Sequence, residues 1–229
     1  MKPSAKSRIA GSGLLLAAAL PVVQCAAPPP VPTATSPPAV PAAPAAITGT
    51  AVTATDLGAS WRPGCPVGPA QLRRIGVTHL GFDRRTHRGE LIVHQDAVPQ
   101  FTAVFEQLYR LRYPIEKIRP AASYPDADDE SVMADNNTSV FNCRTIPGTG
   151  HWAQHAYGRA VDLNPLLNPY LDGAGGFQPN NAAAFLDRTR TDPAMLHDGD
   201  AAVRAFTDRG WRWGGHWRSP IDYQHFELP

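Results

Sequence analysis

Residues 155–165 read HAYGRAVDLNP. Within them Ala160, Val161, Asp162 and Leu163 have the two-residue period of a strand, with Val161 and Leu163 on one face and Ala160 and Asp162 on the other. Asn164-Pro165 closes that strand. Gly158 permits a tight turn between the strand and His155. If the apolar face sits in a core, Asp162 faces a cleft, and His155 folds back to the same cleft across the glycine. An imidazole nitrogen and a carboxylate oxygen are both zinc donors. Taken singly, each residue has an ordinary reading: His155 as a structural histidine, Asp162 as a cap for the turn that follows.

The pair gains meaning from the end of the chain, DYQHFELP, where Asp222 and His225 lie three apart. In one extended strand they would point to opposite faces. If the chain turns just after Asp222, both converge on one centre. His155, Asp162 and His225 would then hold zinc with a position left open, the mark of a catalytic rather than a structural site. Asp222 would be the spare carboxylate that takes a proton from water. Packing of His225 against an aromatic residue is the competing reading. His151 and His216 are left out of the metal set. Glu227 is the other carboxylate near His225, and Trp211, Trp213 and Trp217 divide between groove wall and core.

The rest of the chain reads as α+β with an antiparallel sheet, because helices and strands mix without a βαβ rhythm. Residues 72–82 (LRRIGVTHLGF) and 90–95 (ELIVHQ) read as a strand hairpin around a polar turn, DRRTHRG. In the first strand Ile75, Val77 and His79 share a face. Asp96 is placed to cap a helix that carries Phe101, Val104, Phe105, Leu108 and Leu111 at helical spacing and stops at Tyr113-Pro114. Residues 115–120 read as a short strand. The polar stretch DADDESVMADNNTSV reads as a long surface loop. A second helix is expected from Asp198 to Asp208, ending at Gly210.

The 229-residue chain opens with Lys2, Lys6 and Arg8 before an apolar run from about Ile9 to Val23, the layout of a secretory signal over residues 1–25. An uncleaved membrane anchor is the alternative. Cys25 resembles a lipoprotein attachment cysteine, although Gln24 stands where such signals want a small residue. Residues 26–55 form a Pro/Ala-rich stretch expected to be an extended linker, so the folded domain is expected over 56–229. With 21 basic and 20 acidic residues the formal charge is +1, and no basic stripe argues for nucleic acid. Export leaves Cys65 and Cys143 as an even pair in an oxidising compartment, where a disulfide is favoured over two free thiols.

Three stretches in order carry a resemblance: SVMADNNTSVFNCR (131–144), HAYGRAVDLNPLLNPY (155–170) and GWRWGGHWRSPIDYQHFEL (210–228). From about residue 98 to the end the chain resembles the zinc-dependent D-alanyl-D-alanine carboxypeptidase family of bacterial cell-wall peptidases, in particular members described as D-alanyl-D-alanine carboxypeptidase or L-alanyl-D-glutamate endopeptidase. The resemblance implies one domain of Hedgehog/DD-peptidase type, with a small antiparallel sheet and flanking helices around a zinc cleft. It implies Zn2+ as cofactor, His155, Asp162 and His225 as its ligands and Asp222 as the acidic catalytic residue. Arg144 matches an arginine that holds a substrate carboxylate or the developing oxyanion, with a surface salt bridge as its alternative. Where related sequences carry a serine, this chain has Ala153, so a supporting hydrogen bond is missing or is replaced by Gln154.

The expected partner is the stem peptide of peptidoglycan. A monomer is expected, in the cell wall, the periplasmic space or the medium, with membrane contact only through an N-terminal lipid or an uncleaved signal. A non-catalytic zinc- or wall-binding module is a rival reading, which a retained acid at Asp222 argues against. A disulfide-stapled structural domain without metal is another, which leaves Asp162 without an evident partner.

Overall fold

The computed structural model describes residues 49–229. The signal segment, Cys25 and most of the expected linker lie outside the described residues. The linker was expected to run to residue 55, but ordered structure begins earlier. Strand β1 (Thr50–Ala51) pairs with Arg73 and Arg74 of the next strand. Helix α1 (Ala54–Leu57) follows, its N-terminus closed by a reciprocal cap between Thr53 and Asp56. Val52 and Leu57 are buried, which gives this short segment an apolar anchor.

The hairpin is present as β2 (Leu72–Leu80) and β3 (Thr86–His94), antiparallel in register from Leu72↔His94 to Leu80↔Thr86. The turn is shorter than the polar run DRRTHRG suggested. Thr86, His87 and Arg88 are exposed but sit opposite Leu80, His79 and Thr78, so ladder hydrogen bonds hold a polar strand end. Both faces of this hairpin are covered. Ile75, Val77, Leu91 and Val93 enter the main core; Leu72 and Ile92, of opposite parity, enter a second core with Val52, Leu57, Val67 and Phe141.

Helix α2 (Val98–Arg110) lays Phe101, Val104, Phe105 and Leu108 into the main core. Two details differ from expectation. A short 3-10 turn, Gln95–Ala97, precedes the helix, so Asp96 does not cap it. Leu111 follows the helix end and is exposed. Strand β4 (Lys117–Ile118) comes next. The stretch read as a surface loop is instead helix α3 (Asp129–Ala134) followed by β5 (Asn137–Thr138), which pairs in parallel with β4. Asp128 caps α3 through the Ser131 N–H, and Val132 and Met133 are its buried face. Asn136, Asn137 and Thr138 are buried although polar. Their bonds explain this: Asn136 donates to Glu116, Asn137 to the Arg119 carbonyl, and Thr138 Oγ1 accepts from the Asn164 N–H.

The remaining elements are β6 (Ala160–Asp162), β7 (Tyr170–Leu171), β8 (Phe177–Gln178), α4 (Ala201–Thr207), β9 (Arg212–Trp213), β10 (Ile221–Asp222) and β11 (His225–Glu227). The α4 helix is shorter than expected and begins after Asp200. Two small antiparallel sheets, β6-β11-β9 and β10-β7-β8, complete an α+β architecture. No helix of the described residues is long and apolar enough to cross a membrane.

Cys65 and Cys143 form a disulfide across a sequence separation of 78 residues. It pins the second core to the segment that precedes the histidine turn. A cross-link closing so long a loop constrains the unfolded chain strongly. We expect Cys65→Ala/Cys143→Ala to lower unfolding free energy by roughly 2–5 kcal/mol, read by denaturant titration. A variant as stable as the parent would mean that the unfolded chain is already restrained here.

Candidate metal centre

The short turn Gln154–Tyr157 presents His155 and ends at Gly158, whose φ of 66° is left-handed. A Cβ there would lie 2.7 Å from the His94 backbone nitrogen, so only glycine fits. That closeness is used: the His94 N–H donates to the Gly158 carbonyl at 2.9 Å and fastens the turn to β3.

Antiparallel pairing of β6 with β11 places His225 directly opposite Asp162. Residues opposite in such a pair share a face, so the ladder itself brings two donors together from 63 residues apart. The chain leaves one sheet after Asp222 in β10 and enters another at His225 in β11. Asp222 and His225 therefore need not alternate along one strand.

His155, Asp162 and His225 are all buried, and one donor atom from each lies within 4.8 Å of the others. His155 Nε2 is 3.1 Å from Asp162 Oδ2 and 3.1 Å from His225 Nδ1. His225 Nδ1 is 3.2 Å from Asp162 Oδ1. Tetrahedral zinc with donors at about 2.0–2.1 Å sets donor–donor separations near ~3.3 Å, so these three atoms fit it. The outer ring nitrogens are also committed. His155 Nδ1 donates to the Val140 carbonyl at 2.6 Å, and His225 Nε2 faces Glu227 Oε2 at 3.2 Å. Each bond fixes a tautomer that leaves the inner nitrogen as a donor to metal.

Without metal the cluster is a proton trap. Burial works against ionising Asp162, but His155 and His225 outweigh it and hold the carboxyl well below its usual range. Burial likewise works against charging His225, yet Asp162 and Glu227 hold its pKa up to about 10. A metal must displace that proton, so affinity falls as pH falls.

Asp222 lies beside this cluster on β10. Its Oδ1 is shielded from solvent and has no hydrogen-bond partner among the described residues. Burial pushes its pKa up to about 6; the Asp162 charge adds to the rise, while His225, His155 and Arg144 oppose it. Gly214 makes room for it, since a Cβ there would meet the Asp222 carbonyl oxygen at 2.5 Å.

Arg144 sits at the rim. Its Nε is 2.9 Å from Asp129 Oδ2 and its Nη2 is 3.9 Å from Asp162 Oδ2. Both the salt bridge and the closeness to the cluster are thus present. Ala153 is buried, donates its N–H to the Arg144 carbonyl, and offers no side-chain cap to the turn. His151 is exposed, and His216 pairs with Asp198 at 2.8 Å, so neither joins the cluster. Of the tryptophans, Trp211 and Trp213 are core, whereas the Trp217 ring lies 5.4 Å from that of His225.

Two partners in the site were not singled out from sequence: the Val140 carbonyl and Glu227 as the brace of His225. Only Glu227 left a signal, because His225 and Glu227 alternate along one strand and so share a face. Glu227→Gln keeps the shape and removes the charge. We expect zinc affinity to fall about 10–100-fold, measured by competition with a chromophoric chelator. An unchanged affinity would make Glu227 a bystander.

Residues 147–228 match the family described as D-alanyl-D-alanine carboxypeptidase. The matched stretch holds His155, Asp162, Asp222 and His225, and its similarity to that family supports the resemblance read from the sequence. It begins later than residue 98, so Arg144 and Cys143 fall outside it. No curated protein and no solved structure matches the chain.

Proposed function

We propose that this protein is an exported zinc peptidase that hydrolyses a peptide bond in the stem peptide of peptidoglycan, as a D-alanyl-D-alanine carboxypeptidase. The observation that carries the reading is the convergence of three buried donors, at tetrahedral spacing, beside a carboxylate whose shielded Oδ1 has no partner among the described residues. The family match supports the peptidase class, and the N-terminal charge and hydropathy pattern supports export.

His155 Nε2, Asp162 and His225 Nδ1 would hold the ion, and zinc there supplies Lewis acidity to water and to the scissile carbonyl. The chain's own residues do the rest. Asp222 accepts a proton from water as the water oxygen bonds to the carbonyl carbon. It then delivers that proton to the amine nitrogen as the C–N bond breaks, which returns Asp222 to its starting state. A carboxylate beside the cluster, with its Oδ1 unpaired among the described residues, suits both halves of that task. Val140 and Glu227 keep the two imidazoles oriented. Arg144 contributes fixed positive charge at the rim, where a terminal carboxylate or a developing oxyanion would gain from it.

The test uses the full chain, loaded with zinc, on purified muropeptides, with products read by mass spectrometry. Release of one terminal alanine is expected. Cleavage inside the stem would assign the endopeptidase reading instead. A folded, zinc-loaded chain that cuts nothing would favour a binding module.

A further inference from the structure

Tyr170 has no part in the chemistry described above. It opens β7 and lies directly opposite Asp222 in the antiparallel pairing of β7 with β10. Directly opposed residues project from the same face of a sheet, so the phenol stands on the face that carries Asp222. The other register pairs confirm the parity. Leu171 opposes Ile221 on one side and Phe177 on the other, and these three line an apolar cavity. The polar face and the apolar face of this small sheet are therefore distinct.

The placement is firm. Tyr170 follows the turn Asn164–Pro169, in which the fully buried Asn168 donates to the carbonyls of Leu163, Asn164 and Ala194. The Tyr223 N–H donates to the Pro169 carbonyl at 3.4 Å, which joins the residue before Tyr170 to the residue after Asp222. Tyr170 is partly buried. Burial and the nearby charges of Asp222 and Asp172 push its pKa up, so at neutral pH it keeps its proton and remains a donor. Buried or half-buried tyrosine hydroxyls usually find a partner.

From this placement, and resting on the peptidase reading above, we propose that Tyr170 is a further catalytic residue, whose hydroxyl donates a hydrogen bond to the carbonyl oxygen of the scissile peptide bond as negative charge develops there. Asp222 serves the water and the leaving amine, and Tyr170, across the strand pair, serves the oxygen. Preorganised donors of this kind act where charge appears in the transition state and contribute little to ground-state binding.

Tyr170→Phe removes the hydroxyl alone. On zinc-loaded full chain, with a stem peptide as substrate, kcat is expected to fall by about 100-fold. KM should stay within about twofold, as expected for an interaction made only in the transition state. Zinc stoichiometry and melting temperature, measured on the same samples, should match the parent, which a merely structural role would not give. A Tyr170→Phe protein whose kcat equals that of the parent overturns the inference and leaves the peptidase reading standing. A loss of zinc or of folding in that variant also overturns it, because the hydroxyl would then be structural. A parent chain that cleaves no stem peptide removes the peptidase reading and this inference together.

Discussion

Asp222→Ala is expected to lower kcat for stem-peptide hydrolysis by roughly 10²–10⁴-fold, the range that a positioned general acid–base supplies. Zinc content should not change, because Asp222 is outside the group of converging donors. Stability should not fall either: the substitution removes a shielded carboxylate oxygen that has no partner among the described residues. The parent should also show an acid limb in kcat/KM. Asp222 must be ionised to accept a proton, so activity falls as pH drops through its pKa. Burial raises that pKa in the metal-free chain and a bound dication lowers it, so the expected result is the limb itself and its dependence on Asp222. At zinc concentrations that keep the site filled across the pH range, the limb should be absent from the residual activity of Asp222→Ala. A variant that keeps full kcat would transfer the base role elsewhere, with Glu227 the nearest carboxylate left to test.

Asp162→Asn should have the other large effect, and on a different quantity. The parent is expected to gain stability from zinc by mass action, about 2.7 kcal/mol at a free concentration 100-fold above its Kd. Asp162 lies between the two histidines, with one oxygen toward each. Replacing the carboxylate with an amide removes the anionic donor and leaves two imidazoles facing a neutral group. We expect the zinc-dependent shift in the denaturation midpoint to vanish, and turnover to fall to that of the chelated parent. An undiminished shift would mean that zinc binds elsewhere. The metal-free stability of the variant is a separate readout, because the buried ion pairs of Asp162 are lost as well.

Much of this site was legible because its chemistry is local in sequence. The glycine between His155 and Asp162 and the strand period of Ala160–Leu163 set a turn and a face, and both are present. The turn after Asp222 that lets it stand apart from His225 could be posed as a condition, but only the change of sheet satisfies it. The direct opposition of Asp162 and His225 is a register, and register is set by pairing over a long separation that no window of sequence contains.

The stretch 126–140 misled for a related reason. Its acids and asparagines read as a solvated loop, whereas Asp128 is a helix cap and Asn136, Asn137 and Thr138 are buried by partners 18 to 30 residues away. Polar residues that find partners inside a fold look like surface until the partners are known. The N-terminal boundary moved for the opposite reason: Thr53 and Asp56 form a cap legible in four residues, within a stretch dominated by linker-like composition.

Hydrolysis is expected to depend on zinc held by His155, Asp162 and His225. The most direct measurement takes full-length parent stripped with a chelator and returns zinc in fractions of an equivalent, with alanine release from a stem peptide followed at each addition. No release is expected from the stripped chain, followed by a linear recovery that saturates at one zinc per chain. Release that is the same before and after stripping, in a chain verified to be metal-free, would contradict that dependence.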